Sequence, residues 1–185
     1  MTTHVTSVRL LAMAASRTLN GAIAGGLAAA IWAAQQPLDK RVFGVDYDDV
    51  ELLGKAVTRG SEWPAVGLAL HIGNGAAFGA LYAQLRPFLF GPPVLRALTA
   101  SLAENFGSWP LIGLANDHHP AKGELPKVAG NPRALAQATW RHLLFGAVLG
   151  ILEQRFNRSR EAEPPFVPVS SNGHGNIEHA ATAAA

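Results

Sequence analysis

The chain reads as an all-α integral membrane bundle of about four transmembrane helices, with a short interfacial helix in its first loop. Three observations predict this class. Hydrophobic residues make up 49% of the 185 residues and charged residues only 15%, against roughly a quarter charged in a typical soluble domain. The charges concentrate in residues 39–62, 117–133 and 153–163, which leaves long tracts nearly free of them. Those tracts, Thr18–Leu38, Trp63–Leu85, Ala97–Asn116 and Ala134–Leu152, approach the roughly 20 residues needed to cross hydrocarbon in a helix. The first two hold no charged residue, the third holds Glu104 and the fourth Arg141. A soluble bundle would show polar faces at helical spacing, and Thr18–Leu38 and Trp63–Leu85 show almost none.

The elements follow in order. Leu10 to Ala15, after Arg9, is too short for a signal-peptide core, so residues 1–17 read as an amphipathic approach to the first span. Residues 18–155 form the membrane domain. In the first connection, residues 39–62, Asp48 is placed to cap a helix while Glu51 reaches back to complete a capping box, and Gly60 to close its far end. Val50, Leu53 and Val57 then line one side, which faces lipid or the bundle. Gly91-Pro92-Pro93 forbids continued helix, so the second and third spans are antiparallel neighbours. Asp117–Arg133, punctuated by Pro120, Pro126 and Pro132, is expected as an irregular loop outside hydrocarbon. Residues 156–185, rich in Pro, Ser, Asn, Gly and Ala, are expected as a disordered tail.

Aligning the spans on their glycines shows an internal repeat. Gly21-Ala22-x-x-Gly25-x-Leu27, Gly75-Ala76-x-x-Gly79-x-Leu81 and Gly146-Ala147-x-x-Gly150-x-Leu152 share one pattern, and His71 and His142 stand four residues before its second and third copies. Glycines four apart lie on one helix face and let backbones approach, which is how helices associate in lipid. Gly67 lies outside the motif and is expected to tolerate a larger side chain. Each histidine is offset by about 80° from the second glycine of its motif, so both should border the packing face and point inward. Gly73-x-Gly75-x-x-x-Gly79 also resembles a phosphate loop, yet it lacks the strand before it and the acid after it, so helix packing is the preferred reading.

Span three carries a polar stripe instead: Ser101, Glu104, Asn105 and Ser108 at i, i+3, i+4 and i+7. Pro110 removes the amide that would bond the Phe106 carbonyl and should kink the helix there. Counting depth from the same surface brings His71, Asn74, Glu104, Asn105, Ser108 and His142 toward one another. Arg141, near a helix N-terminus, is expected to snorkel toward that surface, or to turn inward to Glu104. Three readings stay open for the cluster: a hydrogen-bonded network that fixes helix register, a ligand, transport or proton-relay site, or a metal or haem centre held by His71 and His142. Asp117-His118-His119 with Glu124 is a further surface metal motif, although a solvated loop explains it as well. The chain has no cysteine, which excludes disulfides and cysteine-ligated metals.

Over about residues 15–155 the Ala- and Gly-rich bundle resembles small four-helix inner-membrane proteins of bacteria, and the resemblance brings no motif whose functional residues carry over. Function follows as an expectation: a structural or partner-binding bundle packed through its glycines, or alternatively a small transporter, channel or proton-relay subunit. No nucleophile and base pair by motif spacing, which argues against an enzyme, and no cofactor is called for beyond the haem or metal alternative. The expected partners are the lipid bilayer, a second copy of the chain or another membrane protein. The net charge of +2 is too small and dispersed for nucleic acid. The arginines flanking the second loop and following the last span place both termini on the cytoplasmic side of the inner membrane.

Overall fold

The structure, a computed structural model, describes residues 2–161; the expectation for the rest of the tail lies outside the described residues. Among them the chain is all-helical, with no strand. Helix α1 runs unbroken from Thr2 to Phe43, so the approach and the first span are one helix. Gly44, at φ 67, ends it, donating its amide to the Lys40 carbonyl at 2.9 Å. Helix α2 spans Asp49–Val57, α3 Trp63–Leu85, α4 Pro93–Ser108, α5 Ile112–His118 and α6 Pro132–Glu161. Pro110 acts as the sequence predicts: α4 breaks into a 3₁₀ turn, Trp109–Leu111, before α5. At the other end α6 runs past the predicted tail boundary, because Asn157 is buried and tied by its side chain to Glu153 and Asn20.

Asp48 caps α2, accepting from the Val50 and Glu51 amides at 2.9 and 3.1 Å. The rest of the predicted box does not form: Glu51 pairs with Lys55 at 2.7 Å, and Thr58 rather than Gly60 closes the helix. Burial alone would raise the Asp48 pKa, but hydrogen bonds from Lys40 and the two amides outweigh it and hold it below the ordinary carboxylate value. Such a group stabilises the fold above its unfolded pKa, and that contribution fades as pH falls through the folded value. Asp48→Asn should therefore lower the Tm at neutral pH, and the gap to the parent should close as the solution is acidified below about 3.8. A gap constant across that range would show that the Lys40 pair contributes nothing.

Helix α1 packs on α3 and on α6, α6 on α4, and α2 on α3, while α3 and α4 barely meet, so the second and third spans are not the packed neighbours expected from their short turn: each packs on another helix, α3 on α1 and α4 on α6. The glycine repeat explains much of this. Gly21 faces Gly79 and Gly25 faces Gly75, so closely that a Cβ on any of the four would collide with the partner helix. The third copy sits on α4: a Cβ at Gly146 would lie 2.9 Å from Leu98 Cα, and one at Gly150 2.8 Å from Val94 Cα. These contacts make α1 antiparallel to α3 and α4 antiparallel to α6. Gly67 corrects its expectation. It is buried against the Val50 carbonyl, and Gly54 of α2 presses on Trp63, so α2 turns this face to the bundle.

Between the helices lies a small core of Ala24, Ala28, Ala29, Trp32, Tyr82, Ala97, Phe145 and Leu149. The predicted irregular loop is docked rather than loose. Ala121 and Val128 are buried, the Asn116 side chain accepts from the Val128 and Ala129 amides, and Glu124 pairs with Lys55 and Arg59. Two helices, over Trp63–Phe88 and Pro132–Arg158, are long and apolar enough to cross a membrane by length and composition. Helix α1 has the length but is rich in alanine and glycine, and α4 has 16 residues before its proline break.

Candidate functional site

The end of the bundle where α1 finishes and α6 begins is built on one arginine. Arg141 has no exposed surface. Its Nε and Nη2 donate to the two carboxylate oxygens of Asp39 at 2.7 and 2.6 Å, and its Nη1 to Asp49 Oδ2 at 2.7 Å. Nη2 also donates to the Tyr47 carbonyl at 2.9 Å. Gln137 donates to Asp39 at 2.7 Å, and the Trp32 indole N–H to Asp49 Oδ2 at 3.1 Å. Arg141 thus neither snorkels nor reaches Glu104: two carboxylates hold its planar fork on opposite edges. Burial and the neighbouring Asp49 push the half-buried Tyr47 phenol well above its ordinary range, which keeps it a donor.

Glu104, the other charge expected in the spans, takes His142 as partner, Oε2 to Nε2 at 2.7 Å. The remaining His142 nitrogen faces the Ala138 carbonyl at 2.7 Å. The span-three stripe is a ladder onto α6: Ser101 donates to the His142 carbonyl at 2.8 Å and Asn105 to Thr139 at 3.1 Å. His71 approaches from α3. It is 7% exposed, and its Nε2 is buried with no hydrogen-bond partner. Trp32 stands between the imidazoles, its ring centroid 5.2 Å from His71 and 4.8 Å from His142, edge to face with both.

Because α3 and α4 barely touch, these groups open onto a lateral cleft of about 490 Å³. Trp32, His142 and Phe145 form its floor, α3 and α4 its walls, and Asp49, Leu52 and Leu53 close one end. Of the six residues expected to converge, His71, Asn74, Glu104, Ser108 and His142 line this cleft. Asn105 does not; it is buried against α6. A haem or metal held jointly by His71 and His142 does not fit, since both His142 nitrogens are engaged, by Glu104 and by the Ala138 carbonyl, and the indole packs edge to face on both rings. The Asp117 motif is dispersed too: His119 bonds the Leu52 carbonyl, His118 the Leu114 carbonyl, and Glu124 its two cations. Among the described residues no group of three or more His, Cys, Asp or Glu is placed to hold a metal ion.

Sequence reasoning missed Asp49, Tyr47 and Trp32. Asp49 is the first residue of a loop helix, and only the folded connection brings it over the bundle end. A usable signal was the crowding of Asp46, Asp48 and Asp49 just past the first tract, together with an unexplained arginine in the fourth.

No family model, curated protein or solved structure matches this chain.

At the opposite end a second buried pair mirrors the first. Arg86 Nη1 donates to Glu153 Oε2 at 2.7 Å, and Asn157 donates to Glu153 Oε1 at 2.8 Å. Asn20 of α1 completes this end, donating to Asn157 at 2.9 Å and to the Phe156 carbonyl at 3.0 Å.

Proposed function

We propose that the chain is a four-span membrane protein, both termini cytoplasmic, that works by binding: its bundle is a rigid frame and the cleft between α3 and α4 is its recognition site. The observation that supports this most is the gap itself. Two buried ion pairs and three glycine contacts fix every other helix neighbour, yet the wall of polar groups on α3 is left facing the wall on α4. Preformed, mostly apolar clefts with a few convergent polar groups are the usual form of a ligand site. Four spans are supported by the outer faces. Leu19, Ile23, Leu27 and Ile31 make an exposed apolar stripe along α1, and Leu95 and Phe106 stand exposed on α4. A face of that kind is at home in lipid.

The chain has no native cysteine, so single introduced thiols report topology directly. In intact cells an impermeant maleimide should label Ser61→Cys and Lys127→Cys from outside, and should leave Ala15→Cys and Phe90→Cys unlabelled until the membrane is opened. If only α3 and α6 crossed, Lys127→Cys would side with Phe90→Cys and Ala15→Cys with Ser61→Cys. For the cleft, Asn74→Cys and Ser108→Cys should react with a small methanethiosulfonate reagent, and Asn105→Cys should not. Equal protection of all three would mean a closed bundle with a structural role.

A second reading, a proton-relay or transport subunit, is favoured by the Glu104–His142 pair at the cleft surface with His71 facing it. There Glu104→Gln should fold normally and lose any pH-dependent flux through proteoliposomes; unchanged flux would exclude Glu104 as the titrating group.

A further inference from the structure

Charge decides what kind of molecule the cleft suits. Two carboxylates line it, Asp49 and Glu104, and among the described residues no lysine or arginine does. The nearest arginine, Arg141, lies behind Asp49 and is shared with Asp39, so one guanidinium serves two carboxylates. An anion entering would meet like charges in a poorly solvated place and find no cation to face it. His71 adds an independent sign of a missing partner. Its side chain lines the cleft, is 7% exposed, and has its Nε2 buried with no hydrogen-bond partner, a costly arrangement.

The remaining lining is aromatic and aliphatic. Trp32, Tyr47, Phe78 and Phe145 present rings, and Leu81 and Ala77 continue the surface away from the polar end. Aromatic faces beside carboxylates attract cations twice over, through the ring quadrupole and through charge. Trp32 ties the elements together, since its indole touches His71 and His142 and donates to Asp49.

We infer that the cleft binds an apolar amine, its protonated nitrogen facing Asp49 and Glu104 beside the His71 ring and its hydrocarbon body lying on Phe78, Leu81 and Ala77. This rests on the reading of the cleft as a recognition site and adds the ligand's class to it.

The test uses three probes with one rigid body and different heads: 1-adamantylamine, 1-adamantanol and 1-adamantanecarboxylate. Binding is measured on the full chain in nanodiscs of neutral lipid, against empty nanodiscs to remove partitioning. Radiolabelled adamantylamine should bind saturably, with the alcohol about tenfold weaker and the carboxylate weaker still. Glu104→Gln should weaken the amine about tenfold and leave the alcohol unchanged. Ala77→Phe, which adds bulk at an exposed position inside the cleft, should abolish binding of all three while the helical spectrum and Tm stay those of the parent. Saturable binding of all three heads with equal affinity would overturn the amine assignment and leave the recognition site standing. Preference for the carboxylate would overturn it outright. Absence of saturable binding by any probe would also overturn it, and the separate thiol-reactivity pattern at Asn74 and Ser108 then decides whether an open cleft exists at all.

Discussion

Gly25→Leu should leave no folded bundle, and Gly73→Leu should leave it unchanged. Both glycines belong to helices of similar composition, and only their surroundings differ. A Cβ at Gly25 would run into the Gly75 carbonyl and Gly79 Cα, which are backbone atoms of a helix held on two sides, whereas a Cβ at Gly73 meets nothing within 4 Å. Overpacking ordinarily costs about 1–3 kcal/mol when side chains can shift. Here the obstacle is backbone, so the cost should reach or pass the upper figure, a large share of a total stability of about 5–15 kcal/mol. The fraction recovered as a monodisperse species in mild detergent, and its Tm, measure this. Gly67→Leu should behave like Gly25→Leu because of its contact with α2. Equal recovery of the Gly25, Gly67 and Gly73 variants would remove helix packing as the role of these glycines.

That comparison also shows what was legible beforehand. The Gly-x-x-x-Gly spacing announces a close contact through its period alone, so the glycine faces of α1, α3 and α6 were readable from the repeat, while the helix each face meets was not. Gly67 was not, because its contact is with Gly54 in a loop helix, and no periodicity links two glycines in different elements. Likewise the α4 stripe was readable, since its residues share one helix, and the Glu104–His142 pair was among the partners anticipated. Asp39 and Asp49 sit at a helix end and in a connection, where acids usually face water. Their burial depends on where the chain turns.

Arg141→Met should be the most damaging single change outside the glycines. It keeps the length and apolar stem of the side chain and strands Asp39 and Asp49, one almost wholly buried and the other nearly so. Removing one partner from a buried ion pair typically costs about 3–5 kcal/mol, because the uncompensated charge stays behind. Arg141→Lys should recover little, since a single ammonium cannot span two carboxylates held by different edges of a fork. Adding Asp39→Asn to Arg141→Met should restore part of the loss by removing one stranded charge. Unfolding in mixed detergent micelles, followed by circular dichroism, gives the order parent, double variant, single variant. A single variant as stable as the parent would show that the buried pair is not a structural requirement.

The two buried ion pairs place a direction on how this protein comes together. Helix α6 carries one charge of each pair, Arg141 and Glu153, and their partners Asp39 and Arg86 both lie earlier in the chain. Segments made first therefore hold Asp39 at one end and Arg86 at the other before Arg141 and Glu153 arrive. The last helix satisfies both when it docks in its single correct polarity; reversed, it would set acid against acid and base against base. A chain stopped short of α6 lacks Arg141 and Glu153 together, so the same helix completes both ends or neither.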